Sequence, residues 1–290
     1  NNGSYGIRVN DYANPFVQYN DLYGHSSYDY YNNSTTGNEL DARYNFWGTT
    51  TTTEMNTGNN PKDIAKIYDK YDNSDKGFVN YGGWLGSSGG NPTSTSYTGV
   101  IKLTDSGGTE QLNFPASSTL YLRVTDSDRN SNSGTAETIA VTIKSETETT
   151  AESLTLTETG ANTGIFSGSI AFEAATSFTN GDSKLQVQRG DKLTGTYIDP
   201  ANDFSNKDTL TDVAFYSVSL KSGEISTNTT WSKSDSPFLV TGDVTVTSGD
   251  TLTIEAGSEV RFTPLSDDQS SGNDANRVEL YVYGALIANG

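Results

Sequence analysis

The chain has 290 residues and a formal net charge of −18, because 36 Asp plus Glu outnumber 18 Lys plus Arg. A surface of this sign repels phosphate backbones and anionic lipid but attracts divalent cations, so we expect no nucleic-acid partner. The absence of Cys excludes thiol catalysis, disulfides and zinc–thiolate sites. No apolar run approaches the roughly 18 residues of a spanning helix, so we expect no membrane insertion.

Composition also indicates the fold class. Aromatic residues make up 11% of the chain, which is too many for a disordered protein, and there are 29 Gly. Thr, Ser, Asn, Asp and Gly dominate, as is typical of short strands joined by tight turns. We therefore predict an all-β protein. The chain begins Asn-Asn-Gly without an initiator Met, so we expect a processed product or a piece of a longer polypeptide.

Residues 1–60 consist of brief apolar stretches that are each followed by Asn, Asp or Gly. This pattern favours stacked coils of about 20 residues, in which each coil buries its inward side chains against its neighbours. Segments 6–22 and 39–49, the second ending in Asn45-Phe46-Trp47-Gly48-Thr49, resemble the closing coils of a right-handed parallel β-helix. The resemblance implies that a helix and a final apolar strand follow this last segment.

Residues 61–98 are predicted to close that unit with a capping helix, a closing strand and a linker. Pro61 suits the first turn of a helix, and four apolar side chains fall at i, i+3, i+4 and i+7. We therefore predict a helix over 61–71. The four side chains are Ile64, Ile67, Tyr68 and Tyr71.

Residues 99–222 show longer alternation of apolar and polar residues, at a spacing that fits an Ig-like β-sandwich. Segment 157–168 resembles a hairpin of Ig-like modules in large bacterial and archaeal surface proteins. The predicted strands are 119–124, 137–143, 152–158, 165–170, 192–198 and 212–216.

Residues 223–290 return to very short apolar strands punctuated by Gly. They resemble the opening coils of a parallel β-helix, with 237–240 as its first strand and 284–290 as a coil cut short. The predicted architecture is therefore partial β-helix coils at both termini, a central Ig-like sandwich and one short capping helix. These resemblances are architectural and imply extracellular surface proteins rather than a particular activity.

One loop has the oxygen spacing of a calcium site. Five side chains with oxygen donors occupy positions 1, 3, 5, 7 and 12 of a twelve-residue segment, and Ca²⁺ takes six to eight such ligands. The segment departs from the calcium-loop pattern at Ser131, where Gly is usual, and strands flank it instead of helices. The alternative is a solvated hairpin loop whose side chains bond their own backbone. The candidate ligands are Asp126, Asp128, Asn130, Asn132 and Glu137.

Enzymatic roles are weighed because many β-helices act on polysaccharides through paired carboxylates or a base beside bound calcium. We interpret Asp41 and Arg43 as a surface ion pair, His25 as part of a solvated turn with no acid at triad spacing, and four later acids as charged surface. A catalytic β-helix also needs more coils than these, so we expect no enzymatic activity. The other catalytic candidates are Asp21, Asp29, Glu39 and Arg8, and the four later acids are Asp199, Asp203, Asp208 and Asp212.

The leading hypothesis is a structural extracellular protein of a surface layer, sheath or filament, whose copies stack head-to-tail through open β-helix ends. The alternative is that the chain is part of a longer polypeptide, in which further coils cover those ends. The runner-up is a carbohydrate-binding or adhesive module using surface tyrosines on a cell-surface glycan, and a third is a fragment of a polysaccharide-active enzyme. The predicted interface residues are Ile7, Val9, Leu280, Val282, Leu286 and Ile287.

Overall fold

The computed structural model describes residues 3–263 and 267–288, and strands dominate them, which confirms the all-β prediction. The first five strands and the helix are β1 (Tyr5–Asp11), β2 (Tyr28–Ser34), β3 (Leu40–Asp41), α1 (Gly48–Met55), β4 (Ile67–Tyr68) and β5 (Val79–Asn80). The next nine are β6 (Val100–Thr104), β7 (Asn113–Phe114), β8 (Thr119–Thr125), β9 (Thr138–Lys144), β10 (Glu152–Glu158), β11 (Ile165–Ala174), β12 (Lys184–Val187), β13 (Lys192–Asp199) and β14 (Asp208–Tyr216). The last seven are β15 (Ser219–Ile225), β16 (Thr229–Trp231), β17 (Phe238–Val246), β18 (Thr251–Ile254), β19 (Val260–Phe262), β20 (Leu280–Val282) and β21 (Ala285–Ala288).

The N-terminal unit, residues 3–85, is built from parallel strand pairs. One sheet has the order β1-β2-β4, and a second pairs β3 with β5. The chain passes from the first sheet to the second and back, so each pass lies beside the previous one: Ile7 is opposite Tyr30, and Tyr30 is opposite Ile67. Both sheets enclose one apolar core that includes Val9, Tyr30, Leu40, Trp47, Met55, Ile67 and Val79.

The helix predicted over 61–71 is wrong. That segment holds the two-residue strand β4 between turns, and the α-helix of the described residues lies earlier, at Gly48–Met55. Ile64 and Ile67 are buried but Tyr71 is exposed, so the helical spacing does not correspond to one buried face.

The helix α1 is held by tertiary packing rather than by propensity. Five consecutive Thr residues, 49–53, occupy most of it, and β-branched residues are weak helix formers. Thr51, Thr52 and Met55 are nevertheless buried. Besides α1, the described residues contain only two three-residue 3-10 helices, at Ser127–Arg129 and Lys233–Asp235, and none of these helices could cross a membrane.

Gly48→Ala is expected to lower the free energy of unfolding by about 1–3 kcal/mol. Gly48 has φ of +72°, and a Cβ there would lie 2.6 Å from the Cβ of Tyr23. Gly58→Ala is the matched control, because Gly58 has φ of +76° but open space around a Cβ. Urea unfolding measures both variants. Equal losses would show that the contact with Tyr23 adds nothing to the backbone strain.

The central part is one mixed sheet of nine strands in the order β6-β8-β11-β10-β9-β13-β14-β7, with β12 paired to β11. It ends at residue 218, because β15 pairs with β17 and not with the central sheet. Each of the six predicted strands is present. The sheet curls so that its first strand, β6, lies beside β14. The backbone N–H of Leu103 in β6 donates to Oδ2 of Asp212 in β14 at 2.6 Å. The curled sheet encloses a core that includes Leu103, Leu120, Leu122, Val124, Val141, Ile143, Leu156, Phe166 and Leu193.

The C-terminal unit again consists of parallel pairs. Strand β17 pairs with β15 on one edge and with β19 and then β20 on the other, while a second sheet has the order β16-β18-β21. As in the N-terminal unit, the chain alternates between two sheets. The core is Trp231, Phe238, Val240, Val244, Val246 and Leu252.

Loops of the central sheet contact both terminal units. Asp203 forms an ion pair with Arg43 at 2.8 Å, and the ring of Phe204 lies 5.1 Å from that of Tyr81. At the other unit, Arg261 donates from Nη1 to the carbonyl of Gly190 at 2.6 Å. The interpretation of Asp203 and Asp199 as charged surface is wrong, because both are buried; Asp199 accepts the backbone N–H of Gly99 at 2.8 Å.

Candidate functional sites

The outermost strands of the C-terminal unit carry apolar side chains that continue its core. Leu280 lies opposite Val244, Val282 opposite Val246 and Leu286 opposite Leu252. The three partners are at most 1% exposed, whereas Leu280, Val282 and Leu286 are 37%, 40% and 40% exposed. We call Leu280, Val282 and Leu286 the C-terminal face. It is the inward row of the last described coil, and the described residues leave it uncovered.

Ile287 does not belong to this row. It lies opposite Thr253, one position further along β21 than Leu286, and successive strand side chains point to opposite sides of a sheet. Ile287 is 45% exposed, but on the outer surface of the coil. Three of the four predicted C-terminal interface residues are therefore brought together, and the fourth is not.

The N-terminal unit has a free strand edge at β1. Among the described residues β1 pairs only with β2, so the backbone groups of its other edge have no strand partner. Ile7 and Val9 lie opposite the fully buried Tyr30 and Asn32, which places both on the inward row. Val9 is itself buried and Ile7 half-buried. We call this edge, with Ile7 and Val9, the N-terminal face.

The acidic loop, residues 126–137, connects β8 to β9 at the end of the central sheet nearest the N-terminal unit. Asp126 is 1% exposed; its Oδ2 accepts the hydroxyl of Tyr197 at 2.6 Å, whereas its Oδ1 is buried without a hydrogen-bond partner. Burial and the neighbouring carboxyl of Asp128 raise the pKa of Asp126 to about 7. A buried carboxylate with one uncommitted oxygen is the type of ligand that a hard cation recruits.

Two more of the predicted ligands carry uncommitted oxygens. Oδ1 of Asn130 and Oε2 of Glu137 are buried without a hydrogen-bond partner. Asn132 differs, because its Oδ1 accepts the backbone N–H of Gly134 at 3.0 Å in a turn. The loop thus combines both predicted alternatives, with a self-bonded turn at Asn132 and free oxygens at Asp126, Asn130 and Glu137.

The acidic side chains of this loop are not arranged around a common position that a metal ion could occupy. In residues 3–263 and 267–288 no three His, Asp or Glu side chains are grouped as a metal site. Sequence analysis also missed two neighbours: Tyr197, from β13, and Glu158, whose Oε1 accepts the backbone N–H of Gly164 at 2.8 Å. Both come from other strands, and only the pairing of β9, β10 and β13 brings them to the loop.

The catalytic candidates have mainly structural contacts. Nδ1 of His25 lies 2.9 Å from Oδ1 of the buried Asp29, an acidic partner in the same turn that the sequence did not indicate. The predicted pair of Arg43 with Asp41 is present at 2.9 Å, and Arg43 extends it to Asp203. The remaining candidates contact neighbours too: Ser88 donates to Asp21, Asn80 donates to Glu39, and Arg8 lies over the ring of Tyr31.

Four half-buried tyrosines form a row across the sheet β1-β2-β4. The ring of Tyr31 lies 4.4 Å from that of Tyr68 and 4.7 Å from that of Tyr5, and Tyr28 lies 5.4 Å from Tyr68. The guanidinium of Arg8 lies 5.6 Å from the ring centres of Tyr5 and Tyr31. This tyrosine row, Tyr5, Tyr28, Tyr31 and Tyr68, is an aromatic surface with a cation beside it.

No protein-family model matches this sequence, and no curated protein is significantly similar to it.

Proposed function

We propose that this protein is a structural subunit of an extracellular layer, sheath or filament, assembled by stacking the C-terminal face of one copy on the N-terminal face of the next. One observation carries the proposal. Leu280, Val282 and Leu286 continue a buried core yet remain uncovered beside free strand edges. Edges of this kind are templates for pairing with another chain.

Strand pairing in both terminal units supports their interpretation as parallel β-helix coils. In each unit all strand pairs are parallel, and the chain visits two sheets in turn, except that β2 follows β1 and β20 follows β19 within one sheet. Parallel strands are normally buried on both faces and need a crossover between them, which a coil provides. The central part differs from the predicted Ig-like sandwich, because its nine strands form one curled sheet rather than two facing sheets.

The two faces are complementary in the way that stacking requires. Strand β20 would add to the free edge of β1, and β21 to the segment around Val17, whose N–H already donates to the carbonyl of Asp41 in the next coil. Backbone pairing supplies affinity, as in strand addition, and the apolar rows supply burial. The contact joins different surfaces of identical chains, so it produces a ring or an open filament rather than a two-fold dimer.

Negative-stain microscopy and sedimentation velocity of the purified 290-residue chain test the proposal. We expect filaments or rings whose amount rises with protein concentration. A chain that stays monomeric at high concentration contradicts stacking, and it favours further coils of a longer polypeptide as the natural cover.

We also propose that the acidic loop binds calcium. Asp126→Asn is expected to abolish the rise in melting temperature that calcium produces, because it removes the buried charge at the first ligand position. A ligand at a hundred times its Kd stabilises the folded state by about 2.7 kcal/mol. Differential scanning fluorimetry in calcium and in chelator measures the shift.

Asn132→Ala is the matched control within the same loop, because the oxygen of Asn132 is already bound by Gly134. This variant should keep the calcium shift. Identical melting of the unmodified chain in calcium and in chelator would exclude the site.

A carbohydrate-binding or adhesive module is the second candidate function, and the tyrosine row favours it. Aromatic faces pack against the apolar faces of sugars, and the row lies on the outer surface of the N-terminal coils. A monomeric chain that is retained on an insoluble polysaccharide would support this function over assembly.

A further inference from the structure

Two buried carboxylates lie together at the opposite end of β9 from the acidic loop. Glu148 is in the connection between β9 and β10, and Glu152 is the first residue of β10. They are 0% and 3% exposed. Acidic side chains are almost never buried to this degree without a compensating partner, because removal from water strongly disfavours the charged form.

The hydrogen bonds around the pair leave one oxygen without a partner. Oε2 of Glu148 accepts the backbone N–H of Gln186 at 2.9 Å, and Oε1 of Glu152 accepts that of Gly181. Oε1 of Glu148 is buried and has no hydrogen-bond donor from the described residues. Burial and the adjacent carboxyl of Glu152 raise the pKa of Glu148 to about 7.

Within residues 3–263 and 267–288, no Lys or Arg supplies positive charge to this pair. The nearest further charge that acts on Glu148 is Asp182, which is also negative. The ammonium of Lys184 binds Oε1 of Glu173 at 2.9 Å, and no described Lys or Arg forms an ion pair with either glutamate. The amide of Gln186 donates to Asp182 and Glu173 rather than to the pair. The compensating positive charge must therefore come from solution, either as a proton shared by the pair or as a bound cation.

We propose that Glu148 and Glu152 form a divalent-cation site that binds calcium. Both ligands are hard carboxylate oxygens and no His side chain is near, which favours Ca²⁺ over transition metals. Water fills the remaining coordination positions, because no third acidic side chain of the described residues groups with the pair. The site goes beyond the proposed assembly function and does not depend on it.

The bound cation has a defined structural effect. Glu148 hydrogen-bonds to β12 through Gln186, and Glu152 hydrogen-bonds to the loop before β12 through Gly181. A cation between the two carboxylates ties the β9–β10 connection to β12, which pairs only with β11 at the margin of the central sheet. Calcium thereby stabilises a strand that has a single neighbour.

The test separates this site from the acidic loop by using Asp126→Asn as the background. At pH 8, calcium alone is expected to raise the melting temperature of this background variant over its value in chelator. Adding Glu148→Gln should abolish the shift, and adding Glu152→Gln should do the same if the first variant fails to fold. Isothermal titration with calcium should show the corresponding loss of one binding event.

Glu146→Gln is the matched control, because Glu146 lies in the same connection but is exposed and accepts the backbone N–H of Lys192 at 3.0 Å. It should retain the calcium shift. A pair that only shares a proton predicts a different result, namely no calcium shift at pH 8 in the background variant. That result, or an undiminished shift in Glu148→Gln, would overturn the proposal.

Discussion

Aspartate at both Leu280 and Leu286 is expected to turn head-to-tail assemblies into monomers. Full burial of one aliphatic side chain contributes about 1.5–3 kcal/mol, and a buried aspartate adds a desolvation cost. Each 1.4 kcal/mol of lost binding free energy raises Kd tenfold, so the double substitution should raise the Kd of the head-to-tail contact by on the order of a thousand-fold. Sedimentation velocity measures the loss, and circular dichroism checks that the strands remain.

Ile287→Asp is the control, because Ile287 has similar exposure on the same strand as Leu286 but lies on its outer surface. It should assemble nearly as well as the parent. Equal disruption by the control would indicate that β21 itself unfolds. Undiminished assembly of the double variant would show that the C-terminal face is not the contact.

A mixing experiment tests the head-to-tail geometry independently. The variant with aspartate at Leu280 and Leu286 still has its N-terminal face, so it can add to the C-terminal face of a growing filament but cannot be extended. Substoichiometric amounts should therefore shorten filaments of the parent chain. Ile7→Asp blocks the opposite face, and a variant that carries all three substitutions should not shorten filaments.

The sequence predicts the central strands well because their signal is local. Alternation with period two is preserved in all six predicted segments, and each is a strand with a buried inward row. The local spacing of apolar residues gives a wrong prediction at 61–71, where it indicated a helix. Ile64 and Ile67 are buried by different contacts, one in a turn and the other in β4, and their separation matches a helix only by coincidence. Conversely, the threonines of α1 have no local preference for the conformation that they adopt.

The candidate sites also differ in how far the sequence alone can predict them. The acidic loop is contiguous, so its oxygen spacing is visible in the sequence, and three of its five ligands have buried uncommitted oxygens. The pair of Glu148 and Glu152 is invisible there, because its burial depends on Gln186 and Gly181 from a distant segment. The outward position of Ile287 likewise depends on the strand register, which follows from pairing with β18 and not from composition.

Arg43→Ala is expected to lower the free energy of unfolding by about 2–3 kcal/mol, between the values for exposed and for fully buried ion pairs, because Arg43 and Asp41 are half-buried. Arg43 binds Asp41 at 2.9 Å and Asp203 at 2.8 Å, and its side chain is only 17% exposed. Truncation leaves two carboxylates facing each other at the junction between the N-terminal unit and the central sheet. Urea unfolding measures the change, and Arg43→Lys should lose less, because Lys keeps the charge without the two-pronged geometry.

Lys102→Ala is the comparison for an exposed pair, since Lys102 and Glu110 are 44% and 54% exposed. Its loss should stay below about 1 kcal/mol. Similar losses for Arg43→Ala and Lys102→Ala would mean that the junction contributes no more than a surface contact.

The pH dependence gives a second measure of the junction. The guanidinium and backbone N–H of Arg43 outweigh the effect of burial and hold the pKa of Asp41 below its usual range. A folded-state pKa below the unfolded one means that the unfolded chain binds the proton more tightly, so this stability is present at neutral pH and is lost as pH falls through the acidic range. Arg43→Ala removes the guanidinium but keeps the backbone N–H of residue 43 and the amide of Gln18, which also donate to Asp41. The effect is therefore reduced, and the unfolding free energy of the variant should decline less on acidification than that of the parent. An undiminished decline in the variant would show that other groups hold the pKa of Asp41 down and that Arg43 does not organise the junction.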